Sequence, residues 1–361
     1  MENTGSYDGT KIETNLSDAS LAIKSRFIIP EEVEVLLPGL LLTAVISALA
    51  LHTGAQLHYV TPLIAAMAMG MVLRNAFILP SAYKLGIFYS MRQVLRFAVA
   101  LLGVRITFEQ IMGLGWEGLV IAIVPLTLTL LLTLLLGKVM KMDASQTLLI
   151  ATGTSICGAS AILTAGAITK SKEDSVIVAI SSITIFGTIS MLLYPVIHRL
   201  DLFHLTAEQY GFWSGASIHE VAQVIAAAFG GGDVSGEIGT IVKLTRVAAL
   251  VPAAFVFSYL IVKGVLKKGG GSETAKVAFP FFLLGFVGMV VLNSLEFFTP
   301  KAIRWIEFFD MFLLTMAMAG MGLETDFRRL MTVGYKPFIL SILSTGIIAV
   351  ISMVIIKMLI P

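Results

Sequence analysis

One stretch in the middle of the chain breaks the apolar pattern with glycines and hydroxyls. It reads Thr152-Gly-Thr-Ser-Ile-Cys-Gly-Ala-Ser-Ala161. Because glycine inside a helix costs about 1 kcal/mol relative to alanine, the stretch predicts a helix interrupted between Gly153 and Gly158. The N–H groups freed where the second half begins, with its dipole, attract an anion or a carboxylate. Close packing of an intact helix through small residues is the alternative. The predicted substrate-binding residues here are Gly153, Thr154, Ser155, Gly158 and Ser160.

A second polar stretch, Trp213-Ser-Gly-Ala-Ser-Ile-His-Glu-Val-Ala-Gln-Val-Ile-Ala226, places ionisable groups among apolar residues. Such groups are costly inside a membrane span and mark functional sites. Histidine is the side chain suited to proton exchange near neutral pH, so His219 or Glu220 is predicted to carry a coupling proton. In the alternative, Glu220 pairs with a nearby cation and His219 only packs. Gln223, one turn after His219, and Ser217 are further candidates for substrate binding.

Two cations, Lys243 and Arg246, follow three residues apart and therefore project from one helix face. They repel each other unless a negative group lies between them, and Glu220, Asp310 and a bound anion are the candidates. The planar fork of arginine suits an oxyanion, so both cations are predicted to bind the substrate. Snorkelling of both side chains to the membrane surface is the alternative.

Asp310 is the carboxylate of the apolar stretch Phe308-Phe-Asp-Met-Phe312 and is the third predicted coupling residue. A lone carboxylate is expensive within a membrane span, which again favours a functional role. A structural ion pair with Arg74 or Arg96 is the alternative.

The elements that position these residues must be membrane helices. Of 361 residues, 57% are apolar and 13% charged, with a mean hydropathy of +0.91. Soluble domains carry roughly 25% charged residues, so this composition excludes a water-soluble globule, a disordered chain and a nucleic-acid binder. The single cysteine, Cys157, excludes an internal disulfide and a cysteine-rich metal site and is predicted to pack. We expect no cofactor and no metal.

Eleven apolar stretches are long enough to cross about 30 Å of hydrocarbon. Residues 1–32 form a polar tail before them, and residues 33–361 form the transmembrane domain. With the N-terminus inside, most loop lysines and arginines fall on the cytoplasmic side, which predicts a cytoplasmic N-terminus. The stretches lie near residues 34–52, 59–79, 87–106, 117–137, 146–169, 174–198, 207–229, 237–263, 276–298, 301–323 and 337–360.

Internal echoes predict a repeat between residues 59–198 and residues 207–361. The stretch from Gly103 to Trp116 aligns with the stretch from Gly322 to Tyr335, with Gly, Phe, Met and Gly in register. Upstream, Met71-Val-Leu-Arg-Asn75 aligns with Met289-Val-Val-Leu-Asn293, and Gly153-Thr-Ser-Ile156 aligns with Gly215-Ala-Ser-Ile218. Secondary transporters build their sites from such repeats, whereas chance similarity of apolar helices is the alternative. Whether 146–169 and 207–229 cross the membrane or re-enter it is left open.

Three motifs resemble the YeiH-type sulfate exporter family. They are Gly153-Thr-Ser-Ile-Cys-Gly-Ala-Ser-Ala-Ile162, Gly215-Ala-Ser-Ile-His-Glu-Val-Ala-Gln-Val224 and Lys243-Leu-Thr-Arg246, within a resemblance that runs from about residue 35 to the end. The resemblance implies an all-α inner-membrane protein of 10 or 11 transmembrane helices, two of them broken. It also implies a fold similar to that of bile-acid and sodium/proton transporters. By analogy with such proteins, a homodimer is expected.

Both lines of argument predict a secondary active transporter rather than an enzyme. It would export a small anion, sulfate or a related sulfur oxyanion, through the lipid bilayer by alternating access with proton or sodium coupling. In the first alternative, a cation/proton antiporter, Glu220 and Asp310 bind the cation. A membrane-embedded enzyme is less favoured, because the sequence has no His-Glu-x-x-His motif.

Overall fold

The computed structural model describes residues 31–56, 61–262, 281–325 and 334–360, and every regular element within them is helical. The predicted polar tail, residues 1–32, lies outside this range except for its last two residues. Part of the aligned stretch from Gly322 to Tyr335 also lies outside it. The elements are α1 (Glu31–Gln56), α2 (Pro62–Ala76), α3 (Ser81–Arg105, with 3₁₀ and π turns), α4 (Phe108–Gly113), α5 (Gly115–Val139), α6 (Ala144–Ser155), α7 (Ala159–Thr169), α8 (Glu173–Arg199), α9 (Ala207–Ser217), α10 (Val221–Ala228), α11 (Asp233–Ala248), α12 (Leu250–Val262), α13 (Phe281–Ser294), α14 (Pro300–Glu324) and α15 (Tyr335–Leu359).

Seven of the eleven predicted spans are long, apolar helices in the described part of the chain. Of the other four, two are divided, one is short, and one is described only in part. Helix α2 has 15 residues, and at 1.5 Å per residue it is shorter than a 30 Å hydrocarbon layer. The described part of α13 is Phe281–Ser294, and the start of the predicted span 276–298 lies outside the described residues. The predicted stretches 146–169 and 207–229 are each two helices in series, α6 with α7 and α9 with α10.

Polar caps fix where the divided helices start. The Asp143 carboxylate accepts the Gln146 N–H at 3.1 Å at the start of α6. Thr206 and Gln209 form a reciprocal capping box at the start of α9, with N–H···O distances of 3.2 and 3.1 Å. Because side-chain oxygens satisfy N–H groups that a helix start leaves unpaired, these caps set the register of both polar stretches.

The helices pack into two groups. Group A contains α1–α4, α13 and α14, and group B contains α5–α12 and α15. Within group A, Gly70 of α2 and Gly322 of α14 let two backbones touch, since a Cβ on Gly70 would lie 2.6 Å from the Ala319 carbonyl oxygen. Between the groups, α10 packs on α2 and α14. Group B therefore carries both divided helices and presents one of them to group A.

Residues that the sequence echo aligns make matching contacts. The Asn75 amide donates to the Thr325 carbonyl at 3.0 Å, and the Asn293 amide donates to the Ile106 carbonyl at 3.4 Å. In the alignment Asn75 corresponds to Asn293 and Ile106 corresponds to Thr325. The aligned glycine Gly103 packs its Cα on the backbone of α13, as Gly322 does on α2.

Candidate functional site

The first interruption lies between α6 and α7. Helix α6 ends at Ser155, Ile156 caps it, and α7 begins at Ala159. Gly158 connects the halves with φ +73° and ψ −133°, a conformation that residues with a Cβ rarely adopt. A Cβ there would also lie 2.6 Å from the Glu220 Cγ. The predicted break is present, and it depends on glycine for both backbone conformation and space.

The second interruption, between α9 and α10, lies against the first. Ile218 and Glu220 are extended, and Glu220 is the N-cap of α10. The Glu220 N–H donates to the Gln223 Oε1 at 3.2 Å, while the Gln223 amide donates to the Thr184 carbonyl and the Thr188 hydroxyl at 3.2 and 3.3 Å. With these partners, Gln223 holds the start of α10 in place. Both N–H groups of the Gln223 amide are engaged in these bonds, so none is free to bind a substrate as predicted.

Lys243 joins the ends of the two interruptions. Its ammonium group donates to the Ile156 and Ile218 carbonyls at 3.1 and 2.9 Å, and also to the His219 carbonyl. Ile156 and Ile218 are the C-caps of α6 and α9. An ammonium group has three donors, so all three are engaged by backbone oxygen.

Arg246 does the same one turn later on α11. Its Nη1 donates to the Gly215 and Ile218 carbonyls at 2.9 and 3.2 Å, and its Nη2 donates to the Thr154 and Ser155 carbonyls at 3.2 and 2.8 Å. The side chain is fully buried. Carbonyls at a helix C-terminus lack partners within the helix and carry partial negative charge.

The negative groups between the two cations are therefore backbone carbonyls. Glu220, Asp310 and a bound anion were the negative groups expected from sequence between the two cations. The ends of α6 and α9 were not expected there. The shared helix face of Lys243 and Arg246 was expected from their spacing, and burial of both, at 0% exposure, leaves no room for snorkelling.

Glu220 lies at the opposite ends of the interruptions. Its carboxylate accepts a hydrogen bond from the Thr184 hydroxyl at 3.2 Å, caps α10, and lies beside the backbone of Ala159 where α7 begins. The side chain is partly exposed, unlike its neighbour His219. Two helix N-termini carry partial positive charge there, so they favour a negative charge on the Glu220 carboxylate.

His219 is buried and uses one ring nitrogen. Its Nε2 lies 2.9 Å from the Thr345 hydroxyl, which donates its own proton to the Ser341 carbonyl at 2.8 Å. The hydroxyl has one proton, so Nε2 is the donor and Nδ1 is an acceptor. Nδ1 has no hydrogen-bond partner within the described residues.

Several buried hydroxyls at these helix ends also have no partner in the described part of the chain. Thr154 and Ser155 were predicted site residues, and their hydroxyls are fully buried and unpaired. Buried polar atoms are nearly always paired with protein, water or a ligand, so this cluster is the strongest mark of a binding site. Further unpaired hydroxyls, not singled out from sequence, belong to Thr152, Ser214 and Ser341.

Thr152 and Ser214 lie within the two polar stretches, so the stretches themselves were the signal that could have found them. Ser341 is a single hydroxyl in the apolar helix α15 and carried no distinguishing local pattern. The structure links it to the second interruption through Thr345, which bonds the Ser341 carbonyl and His219.

Three predicted residues do not present free ligands to this cluster. Ser160 is exposed on α7. The Ser217 hydroxyl is engaged by the Tyr194 hydroxyl at 3.0 Å and the Trp213 carbonyl at 2.5 Å. Gly153 is a packing position, since a Cβ would lie 2.6 Å from the Ile162 Cδ1.

Asp310 lies in group A, apart from the interruptions. Its Oδ2 is 3.8 Å from the Arg105 Nε, so the expected partners Arg74 and Arg96 were wrong and Arg105 takes that place. Asp310 is fully buried, and neither carboxylate oxygen has a hydrogen-bond partner among the described residues. Cys157 is a buried free thiol packed among apolar side chains, as its packing role predicted.

Comparison with known proteins identifies the family. A family profile described as "Conserved hypothetical protein 698" matches residues 38–341. A UPF0324 membrane protein of Bacteroides thetaiotaomicron is 35% identical over 316 residues, covering 85% of this chain and 94% of that protein. A UPF0324 membrane protein of Pseudomonas putida is 36% identical over 278 residues, covering 76% and 78%.

The UPF0324 inner membrane protein YeiH of Salmonella typhimurium is 34% identical over 314 residues, covering 85% of this chain and 89% of YeiH. No solved structure matches the chain. The resemblance to the YeiH-type family is thus confirmed. The chain is a membrane protein with several apolar helices, and it belongs to the conserved hypothetical protein 698 family, the UPF0324 membrane proteins.

Proposed function

We propose that this protein is a secondary active transporter of a small anion, sulfate or a related sulfur oxyanion, working by alternating access. The observation that carries the proposal is the cluster of buried, unpaired hydroxyls beside two fully buried cations at two adjoining helix interruptions. Polar groups and irregular backbone are tolerated within a membrane only where they are buried in protein or line a cavity. Transport is the function that uses such a site.

The charges of the region favour an anion. Lys243 and Arg246 face two helix C-termini, which together carry about one negative charge. Glu220 faces two helix N-termini, which together carry about one positive charge. Even with Glu220 ionised, the region keeps about one excess positive charge by this estimate. Sulfate, a dianion, would neutralise it together with one proton taken up by His219.

The residues divide this work differently from the expectation drawn from sequence. Lys243 and Arg246 hold the helix ends and supply the field, while the hydroxyls of Thr154 and Ser155 donate to the substrate oxygens. His219 Nδ1, an unpaired acceptor, takes up the coupling proton, and Glu220 is the second coupling candidate. Sodium is the other coupling ion to test.

The matching contacts of Asn75 and Asn293 support the internal repeat. Likeness to the bile-acid and sodium/proton transporter fold is part of the proposal and rests on the family resemblance. Under this proposal, group B moves relative to group A to alternate access. The membrane is the inner membrane, with the N-terminus cytoplasmic, and the protein forms homodimers.

Ligand-induced thermal stabilisation of the purified protein tests the substrate class. Sulfate, sulfite, taurine, citrate and chloride would each be added as sodium salts, and a sulfur oxyanion is expected to raise the melting temperature by mass action. The double variant Thr154→Val, Ser155→Ala should fold, because its lost hydroxyls have no partners, and should lose this stabilisation. The matched control is Thr127→Val with Ser258→Ala, whose hydroxyls bond only to their own helices on the exposed surface.

One observation favours the cation/proton antiporter as a second candidate. Asp310 presents two buried carboxylate oxygens without hydrogen-bond partners in the described residues. Stabilisation by sodium regardless of the anion, lost in Asp310→Asn and retained in the Thr154 and Ser155 double variant, would replace the anion proposal with this one. Equal stabilisation by an oxyanion in the double variant and in wild type would reject the proposed site.

A further inference from the structure

Arg92 is a cation in group A that no carboxylate of that group pairs with among the described residues. It lies in the π turn Ser90–Val94 of α3, and its guanidinium stacks 4.2 Å from the centroid of the Phe88 ring. It is half-buried and makes no hydrogen bond or ion pair within residues 31–56, 61–262, 281–325 and 334–360. Single π turns in helices are frequent at functional sites.

Contacts on both sides fix the position of this turn. The Ser90 and Thr43 hydroxyls bond at 2.8 Å, which ties the turn to α1. Gly320 of α14 packs beneath it, since a Cβ there would lie 3.2 Å from the Ile87 carbonyl and 3.3 Å from the Met91 nitrogen. Helix α14 thus contacts both this turn and α10, the helix whose start Glu220 caps.

Arg92 and Glu220 are close enough for their charges to interact across the boundary between the groups. Arg96, one turn from Arg92, adds a second positive charge on the same side. Glu220 itself is partly exposed. Group A thus supplies cations near a carboxylate of group B.

We propose that Arg92 is an anion-binding residue and that the substrate binds between Arg92 and the interruptions in place of the Glu220 carboxylate. The inference rests on the proposed function and deepens it by adding a ligand from the second helix group. Glu220 already occupies an anion position, with the Thr184 hydroxyl and two helix starts as donors. The unpaired, fully buried His219 Nδ1 and Ser155 hydroxyl lie within the same two interruptions.

The geometry gives Arg92 and Glu220 opposite effects on anion affinity. A guanidinium supplies charge-assisted hydrogen bonds to an oxyanion, so Arg92→Gln should raise the Kd for sulfate about tenfold or more. The Glu220 carboxylate would compete with the anion for the same position, so removing it should lower the Kd for sulfate. Glu220→Gln is therefore expected to bind sulfate about tenfold more tightly. Arg304→Gln, which removes an exposed cation of α14, is the matched control and should leave the Kd within about twofold.

The experiment is a sulfate titration of melting temperature on the full chain, for wild type, both single variants and the double variant. Without sulfate, Arg92→Gln should lower the melting temperature only slightly, because Arg92 has no hydrogen bond to lose in the described part of the chain and its stacking on Phe88 is a weak interaction. In the Glu220→Gln background, Arg92→Gln should still weaken sulfate binding about tenfold. If the loss of Arg92 has no effect in that background, Arg92 acts only by pairing with Glu220 and the proposal is wrong.

The outcomes also separate this inference from the proposed function. Sulfate or sulfite stabilisation that Arg92→Gln retains in full would overturn the role of Arg92 and leave the anion transporter standing. Weaker binding by Glu220→Gln would overturn the replacement of its carboxylate. Absence of stabilisation of the wild-type protein by any of the oxyanions would overturn both proposals.

Discussion

Arg246 and Lys243 bind the carbonyls of helix C-termini, so their donors are already engaged without a ligand. Together they engage carbonyls of both interruptions, and Ile218 accepts from both side chains. Backbone carbonyls within a membrane have no water to bond to, so each one left unpaired is costly. The two cations are therefore part of what makes the interruptions possible.

Arg246→Gln should destabilise the protein by at least about 3 kcal/mol, because four carbonyl contacts of a buried guanidinium are lost. The measurement is the melting temperature in detergent with and without sulfate. The drop should appear in both conditions, and the exposed Arg304→Gln should not show it. A variant that melts like wild type but no longer binds sulfate would instead restore direct substrate binding to Arg246.

Gly158→Ala should cost about 1–3 kcal/mol, since φ +73° strains alanine and its Cβ would meet the Glu220 Cγ. It should also alter sulfate affinity by displacing Glu220. Gly346→Ala on α15 is the matched control, because a Cβ there meets nothing within 4 Å, and it should be neutral or slightly stabilising. Thermal unfolding of the two variants side by side checks this, and equal melting temperatures would contradict it.

The charged side chains of the candidate site lie at helix ends rather than along helix faces. The C-termini of α6 and α9 meet Lys243 and Arg246, and the N-termini of α7 and α10 meet Glu220. Two divided helices laid against each other thus bring four dipole ends to one region. An unbroken helix would offer no such groups, because its interior N–H and C=O groups bond to each other.

Asn75→Leu and Asn293→Leu should destabilise the protein by similar amounts, about 1–2 kcal/mol each. Each asparagine holds a backbone carbonyl of the helix end it packs against, at aligned positions. Chemical unfolding of both variants measures this, with Thr127→Val as the control that removes a bond within one helix. A large effect at Asn75 alone would argue that the repeat is not structural.

The described part of the chain forms two helix groups with both polar and apolar contacts between them. The Gln110 amide of group A donates to the Glu237 carboxylate of group B at 3.1 Å, and the Arg105 guanidinium lies 5.7 Å from the Phe229 ring. One apolar core cluster also runs through both groups, so any movement of group B must repack it. This boundary is where movement of group B would open and close the site.

Linking Gln110→Cys to Glu237→Cys with a short bismaleimide, in a Cys157→Ala background, should stop sulfate uptake into proteoliposomes. The link would hold the groups together, and alternating access requires them to move. Phe108→Cys with Ser294→Cys is the matched control, because the Phe108 N–H and Ser294 hydroxyl bond at 2.7 Å within group A. Its cross-link should leave uptake intact, and full uptake by the linked Gln110 and Glu237 pair would rule out this movement.

Local sequence was enough for the class of protein and the place of the first interruption. Apolar stretches of membrane length identify spans because hydrophobicity is read along the chain. Gly153 and Gly158 predicted the first break because helix interruption depends on nearby backbone and side chains, whereas the second break, before Glu220, was expected from the family resemblance. The face shared by Lys243 and Arg246 likewise follows from helical spacing.

Only the tertiary structure decided what those residues contact. Lys243 lies 87 residues from Ile156, and Thr345 reaches His219 from α15, which no local pattern connects to it. Such pairs are set by how whole helices pack, which depends on glycines such as Gly70 and Gly320 that let backbones approach. For the same reason, the spacing of Lys243 and Arg246 predicted their shared helix face but not the backbone carbonyls that they bind.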